Sequence, residues 1–376
     1  MSANDADVIV IGAGIVGAAL ADRLSAEKLH VTVVEAAHVG GGATAAGMGH
    51  VVVMDDSEAQ FALTSLSRRL WMEQAERLPA GIEYQRRGTL WVACDDEELA
   101  GARLKRSYFQ ARGVAAEMLT AEELERAEPN LRPGMAGALL VTDDSVVYPP
   151  AAAKFLLERA ISRGAIYMQS APVAHVTGTA VELASGAYLR AGNVIHAAGT
   201  RSTHLPVEIP VAPRKGHLAI TDRYPDFLRH QIIELGYLKS AHGHDEESVA
   251  FNVQPRATGQ ILIGSSRQYG APNPAVEPRM LARMLRRAVE YMPGLASLAV
   301  IRTWTGFRGA TPDGLPLIGP VHSHPGLWLA AGHEGLGITT SLGTAQLLAD
   351  QILGRAPEIP AEPYLPARFA QLHAHA

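Results

Sequence analysis

The sequence predicts a mixed α/β fold: a Rossmann-like nucleotide-binding domain interrupted by a second domain built on a largely antiparallel sheet. Three observations predict it. The run Gly12-Ala13-Gly14-Ile15-Val16-Gly17 stands between a β-branched stretch, Val8–Ile11, and a helix-forming stretch, Ile15–Leu24. Strand-and-glycine-turn signals recur in mid-chain at Asn193–Gly199 and again at Leu327–Gly337. Between them, from Arg214 to Arg267, short apolar runs broken by turns indicate antiparallel strands.

The first element is the strand ending at Ile11. Gly12 then permits a tight turn, Gly14 a close approach of backbone to a pyrophosphate, and Gly17 close helix–strand packing. The helix start supplies free N–H groups and a positive dipole end for phosphates. Val31–Val34 is the next parallel strand, with Glu35 and Ala36 at its tip. The Glu35 carboxylate suits ribose hydroxyls and repels a 2′-phosphate. These first residues therefore read as an ADP site, without specifying the dinucleotide.

The small-residue stretch Gly40–Gly49 reads as a loop that closes on a ligand. A helix is predicted over 58–78, a strand pair within Tyr84–Ala93 turning at Arg87-Gly88, and a helix over 95–112. Thr120 and Glu123 form a capping-box signature, and Pro149-Pro150 opens a helix over Ala151–Arg163. Strands follow at Val173–Val176 and Ala180–Leu183, and a buried strand runs into Gly199. Pro278–Met292 is helical. Strand Leu327–Ala331 and helix Thr340–Leu353 complete the nucleotide domain, and a proline-rich tail follows Gly354. The predicted boundaries are 1–83, 141–214 and 305–376 for the nucleotide domain, and 84–140 and 215–304 for the other.

A length of 376 residues suits two joined domains, and 47% hydrophobic residues allow a large core. With a formal charge of −5 and no basic block, nucleic acid is excluded as a partner. Cys94 is the only cysteine, so no intramolecular disulfide forms. The acidic N-terminus and the absence of a run of about 18–20 apolar residues predict a cytoplasmic protein without a transmembrane segment. Any membrane association would be peripheral, through partners. No metal site is expected: His242-Gly243-His244-Asp245 reads as a solvated loop. Arg279, Arg283, Arg286 and Arg287 read as a solvated basic face, or a dock for a redox partner.

Four segments carry a resemblance. They are Gly40–Gly49, His196–Ser202, the stretch Gly306–Pro316 (Gly-Phe-Arg-x-x-Thr-Pro-Asp-Gly-Leu-Pro), and Gly332–Gly337 (Gly-His-Glu-Gly-Leu-Gly). In this order they resemble the D-amino-acid-oxidase (DAO-type) superfamily of FAD-dependent amine oxidoreductases, from Asp7 to about Gly354. The third and fourth are most similar to a subgroup holding β subunits of D-hydroxyproline dehydrogenase, opine oxidase and hydrogen cyanide synthase.

The resemblance implies non-covalent FAD. It places Gly12, Gly14, Ile15, Val16, Gly17, Glu35 and Ala36 at the ADP half. Gly42, Ala43, Thr44, Ala45, Ala46, Gly47 and Met48 fall on the loop over the pyrophosphate and flavin. Val173 falls at the adenine, Ala198 and Gly199 at a second turn, and Gly335, Leu336, Gly337, Ile338 and Thr339 at the pyrimidine edge of the flavin. Arg308, beside the flavin, is implied to hold the substrate carboxylate, for which a guanidinium fork is suited as lysine is not. Pocket candidates are Met48, His50, Tyr237, Phe251, Trp304, Phe307 and His333.

Two departures matter. No cysteine follows the arginine motif as in sarcosine oxidases, which attach their flavin covalently. Gly335 stands where glycine oxidases carry a second arginine, leaving room for a bulkier or ring-shaped amine. The implied reaction oxidises the C–N bond of a small D-amino or imino acid, D-hydroxyproline or D-proline being preferred, by hydride transfer to flavin N5. Electrons then pass to an acceptor other than oxygen, with partner subunits of a heteromeric dehydrogenase a possibility. The alternatives are a glycine, sarcosine or D-amino acid oxidase using oxygen, an opine oxidase subunit, and a non-catalytic flavin relay subunit.

Overall fold

The computed structural model describes residues 5–202, 204–236 and 247–369. The chain divides into two units, Met1–Ile82, Tyr148–Pro213 and Phe307–Ala376 forming the first, Glu83–Val147 and Arg214–Gly306 the second. Residues 141–147, grouped with the nucleotide domain in the sequence analysis, lie in the second unit.

The first unit is built on an eight-stranded sheet. Its main path runs Leu317–Pro320, Leu327–Ala331, Tyr188–His196, Asp5–Ile11, Val31–Val34, Ile166–Met168, and a hairpin of Val173–Thr177 and Ala180–Leu183 attaches to Tyr188–His196. The strands from Leu327–Ala331 through Ile166–Met168 are parallel, as crossover helices require. Ile11 pairs with Val34 on one side and His196 on the other, so three strand ends converge behind Gly12.

Helix Ile15–Ala26 packs against helices Pro149–Ser162 and Gly337–Ile352 as well as the sheet. Ten of its residues are therefore buried, and it shows no clean polar face. Alanine is the residue that allows three such neighbours at close range. One buried position is charged: Asp22 takes Arg159 Nε at 2.6 Å and Arg163 Nη1 at 2.5 Å. Removing one partner from such a cluster leaves uncompensated charge. Asp22→Ala should therefore lower unfolding stability by roughly 3 kcal/mol; a thermal melt matching wild type would show the cluster to be idle.

The second unit holds the other eight-stranded sheet, ordered Val300–Ala310, Ala212–Thr221, Ile261–Gln268, Glu247–Pro255, Gln231–Glu234, Thr89–Ala93, Gly137–Val141, Ala116–Thr120. Its assigned pairs are antiparallel except Gln231–Glu234 with Thr89–Ala93. Helix Pro278–Tyr291 covers one face, burying Met280, Met284, Ala288 and Tyr291 at helical spacing, the last three in one cluster with Phe251, Val253 and Ile263. Its arginines are largely engaged within the chain. Arg279 and Arg283 meet Glu247, and Arg287 meets Glu234 and Glu290.

Several elements differ from expectation. Tyr84–Ala93 yields one strand, Thr89–Ala93, because Gly88, at φ +74°, packs against Leu140 and Val141 rather than turning a hairpin. Strands Ala116–Thr120 and Gly137–Val141 were not expected. Gly137 reads as a breaker, yet a Cβ there would lie 2.5 Å from Leu119 O, so glycine is what lets the two strands meet. Thr120 and Glu123 do form the capping box. Among the described residues, no helix is long and apolar enough to cross a membrane.

Candidate active site

The glycine turn is set by close contacts. Gly12 has φ +102° and donates its N–H to Val34 O at 2.8 Å. A Cβ on Gly12 would lie 2.7 Å from Ala197 O and 3.0 Å from Ala198 Cα. A Cβ on Gly17 would lie 1.9 Å from Gly12 O. The turn is thus wedged between the helix it opens and the end of strand Tyr188–His196, which brings Ala198 and Gly199 (φ +63°) beside it.

Helix Ile15–Ala26 starts at Gly14 with no side-chain cap and no acidic residue in its first turn. Helix Gly337–Ile352 starts at Leu336 with the same two features. Acidic side chains and caps are what helix starts ordinarily select. Their omission at both leaves two positive dipole ends suited to anionic groups or to the electron-rich edge of a ring.

Glu35 is fixed at the tip of the second strand. Its Oε2 accepts from Ala13 N–H at 2.8 Å and its Oε1 from Ala37 N–H at 2.7 Å. Each oxygen keeps a further lone pair, which can accept a hydroxyl. Ala36 is exposed beside it. Ala171 N–H donates to Glu35 O at 2.8 Å, which brings the start of strand Val173–Thr177 to the same tip.

The Gly40–Gly49 stretch contains a single helical turn, Ala43–Ala46. Gly42, at φ +59°, opens it, and Thr44 straps it down: Oγ1 accepts Ile15 N–H at 3.0 Å. Gly47 abuts the terminal helix, since a Cβ there would be 2.8 Å from Ile338 Cδ1. Thr339 Oγ1 donates to His50 O at 2.8 Å, and Trp71 Nε1 donates to Ile338 O at 3.3 Å. The glycine turn, Glu35, the Thr44 loop, Met48, His50 and the head of the last helix therefore form one cradle within the first unit.

Arg308 lies near the end of strand Val300–Ala310. Its stem passes over Gly335 (φ +84°), where a Cβ would be 3.0 Å from Arg308 Cδ and 3.3 Å from Nε. Glu334 N–H donates to Gly309 O at 2.9 Å, tying the terminal glycine loop to the arginine strand. A side chain at 335 would compete with the guanidinium for its place.

Three histidines, His50, His196 and His333, are held neutral. Burial pushes His50 and His333 down to about 4. Burial, with His204 beside it, pushes His196 down to about 3. His333 Nε2 is engaged by Thr344 Oγ1 at 3.1 Å, whereas His50 Nε2 is shielded from solvent with no hydrogen-bond partner among the described residues. These folded values lie below the ordinary histidine value of about 6.5, so the unfolded chain takes up protons first as pH falls. Stability should be complete above about pH 6.5 and be lost between there and pH 4, by up to about 3 kcal/mol for each of His50 and His333. Denaturant melts at pH 7, 6 and 5 read this; a midpoint constant across them would refute it.

Other candidates stand elsewhere. Phe251, a pocket candidate, is instead core of the second unit, stacked on Tyr291 at 4.5 Å. Strand alternation sends 251 to the helix face and 252 and 254 to the other. Trp304 is half-buried in the middle of the Val300–Ala310 strand, with Arg302 5.3 Å from its ring centre. Tyr237, like His242, His244 and Asp245, lies outside the described residues. Cys94 is in the second unit, its Sγ 3.2 Å from Tyr291 OH. Among the described residues there is no group of three or more metal-ligating side chains. Gln231, Asn252 and Gln254 of the second unit are buried, and their amide oxygens have no hydrogen-bond partner among the described residues.

Known proteins resemble this chain along nearly its whole length. The family described as FAD dependent oxidoreductase (DAO) matches residues 7–351. A glycine oxidase of Pseudomonas putida is 29% identical, covering 96% of this chain and 98% of its own. Hydrogen cyanide synthase subunit HcnC of Pseudomonas aeruginosa is 28% identical, covering 96% of each. The crystal structure of glycine oxidase from Geobacillus kaustophilus superposes with a TM-score of 0.87 at 25% identity, covering 97% of this chain and 99% of that one.

Proposed function

The chain belongs to the DAO family of FAD-dependent oxidoreductases, and from that premise we propose that it oxidises the C–N bond of a small amino or imino acid, with D-hydroxyproline or D-proline preferred. Bound FAD supplies the hydride acceptor. The observation that carries the reading is Arg308 lying over the bare Gly335. The guanidinium takes the substrate carboxylate through two parallel hydrogen bonds and so fixes the α-carbon in position. With no second cationic side chain at 335, a ring or bulky substituent has room beside it.

The cofactor roles follow from the cradle. The uncapped start of helix Ile15–Ala26 holds the pyrophosphate, and Glu35 accepts the ribose hydroxyls. Thr44 to Met48 would cover the middle of the bound cofactor, and Gly335 to Thr339 would face its flavin end. Non-covalent binding fits a chain that carries no cysteine after the Arg308 motif. Support for amine chemistry comes from the names of the relatives, two of which are glycine oxidases. The subunit name of HcnC favours a second reading, in which the chain passes electrons to a partner subunit rather than to oxygen.

One experiment tests both. Purified holoprotein is mixed anaerobically with D- and L-proline, D- and L-hydroxyproline, sarcosine, glycine and opines. Bleaching of the flavin band by a cyclic imino acid is the expected result. Slow recovery of that band in air marks a dehydrogenase and fast recovery an oxidase. No bleaching by any member would overturn the catalytic reading in favour of a relay.

A further inference from the structure

The loop that opens the last helix is strained and tied at two points, all within the first unit. Leu336 N–H donates to His333 O at 2.8 Å, closing a turn whose two central residues, Glu334 at φ +46° and Gly335 at φ +84°, are both left-handed. Glycine, asparagine and aspartate ordinarily fill such a turn. A glutamate stays in it only where the surroundings over-determine the backbone.

The first tie is Glu334 N–H to Gly309 O at 2.9 Å, which joins the turn to the residue after Arg308. The second is the His333 ring. Its Nε2 lies 3.1 Å from Thr344 Oγ1, and Thr344 stands within helix Gly337–Ile352, fully buried. The root of the ring packs where the two uncapped helix starts meet, since a Cβ on Gly337 would be 3.5 Å from His333 Cβ and 3.9 Å from Val16 Cγ2. Gly335 in turn forms the floor beneath the arginine stem, a Cβ there falling 3.0 Å from Arg308 Cδ. A floor this close passes any shift of the turn on to the guanidinium, because close-packed atoms leave no slack to absorb it.

We propose that His333 is a positioning residue for substrate binding: clasped to Thr344, it holds the left-handed turn at the height that aims Arg308 at the substrate carboxylate. The inference rests on the carboxylate role of Arg308 in the amino-acid oxidation above. His333 acts through Gly335 and Arg308 and moves no proton.

Three substitutions test it. Thr344→Val removes the hydroxyl and keeps the side chain's shape, His333→Ala removes the ring, and His333→Gln keeps a polar group at about the reach of Nε2. Each holoprotein is compared with wild type in anaerobic flavin reduction by the same panel of amino and imino acids. Thr344→Val and His333→Ala should raise KM about tenfold and leave kcat within about threefold, since the carboxylate grip is made in ground and transition states alike. His333→Gln should restore most of the lost affinity. The double variant His333→Ala with Thr344→Val should be no worse than His333→Ala alone, because the two groups form one contact. A purely structural bond would lower the melting temperature and leave KM unmoved. Normal KM in both single variants therefore overturns the proposal, as does additive loss in the double variant; Thr344→Val carries the test should His333→Ala fail to fold. Should no member of the panel bleach the wild-type flavin, the oxidation reading falls separately. The clasp is then read by amide hydrogen–deuterium exchange of the holoprotein. Faster exchange in Thr344→Val confined to residues 332–337 supports it, and exchange unchanged there, or raised along the whole last helix, overturns it.

Discussion

Gly17→Ala is expected to give protein that carries little or no flavin and is recovered in low yield. The added methyl would lie 1.9 Å from Gly12 O, a backbone atom that cannot swing aside as a side chain can. Overpacking in a core typically costs about 1–3 kcal/mol where neighbours can adjust. Here relief would require the helix to lift off the turn, pulling Ile15 N–H from Thr44 Oγ1 and the turn from Ala197. Both cofactor affinity and stability should fall together. A Gly14→Ala control is milder, with the methyl 3.2 Å from the Thr44 hydroxyl. The ratio of absorbance at the flavin band to that of protein, with a thermal melt, checks the order. A Gly17→Ala protein as yellow and as stable as wild type would refute the account of the turn.

Arg308→Lys is expected to retain flavin and lose about 10²–10⁴ in kcat/KM. Lysine keeps the charge but offers a single ammonium in place of a planar fork, so the carboxylate is neither gripped at two points nor held in one orientation. A loss of roughly 3–5 kcal/mol of transition-state stabilisation corresponds to that range. Since Gly335 offers no replacement cation, nothing in the terminal loop compensates. Unimpaired flavin reduction at ordinary substrate concentration would remove Arg308 from the carboxylate role. Normal flavin content in the variant separates this outcome from a failure of the cradle.

What could be read from sequence was local chemistry. Gly12, Gly14, Gly17 and Glu35 declare themselves because a glycine turn between a strand and a helix has few structural explanations. The Thr44 loop and the Gly332–Gly337 loop were legible as glycine-rich segments, but the Thr44–Ile15 bond and the Gly47–Ile338 contact join residues far apart in sequence. The placement of Phe251 was hidden for a different reason. Asn252 and Gln254 alternate with Phe251 and Val253, and which set turns inward depends on where helix Pro278–Tyr291 docks. Phe251 was accordingly assigned to a pocket when it belongs to the core. Strands Ala116–Thr120 and Gly137–Val141 escaped because Gly137 mimics a terminator while acting as a spacer.

The interleaving of the first unit has a consequence for how the protein comes into being. Strand Tyr188–His196 completes the wall behind Gly12, and strand Leu327–Ala331 and helix Gly337–Ile352 close the remaining sides. A nascent chain with its first 300 residues outside the ribosome still lacks the arginine strand's end and the whole terminal loop. Domains otherwise tend to form from the N-terminus as they emerge. Here the glycine turn must wait for the Gly332–Gly337 loop, far along the chain, so the cradle closes only once that loop has been made.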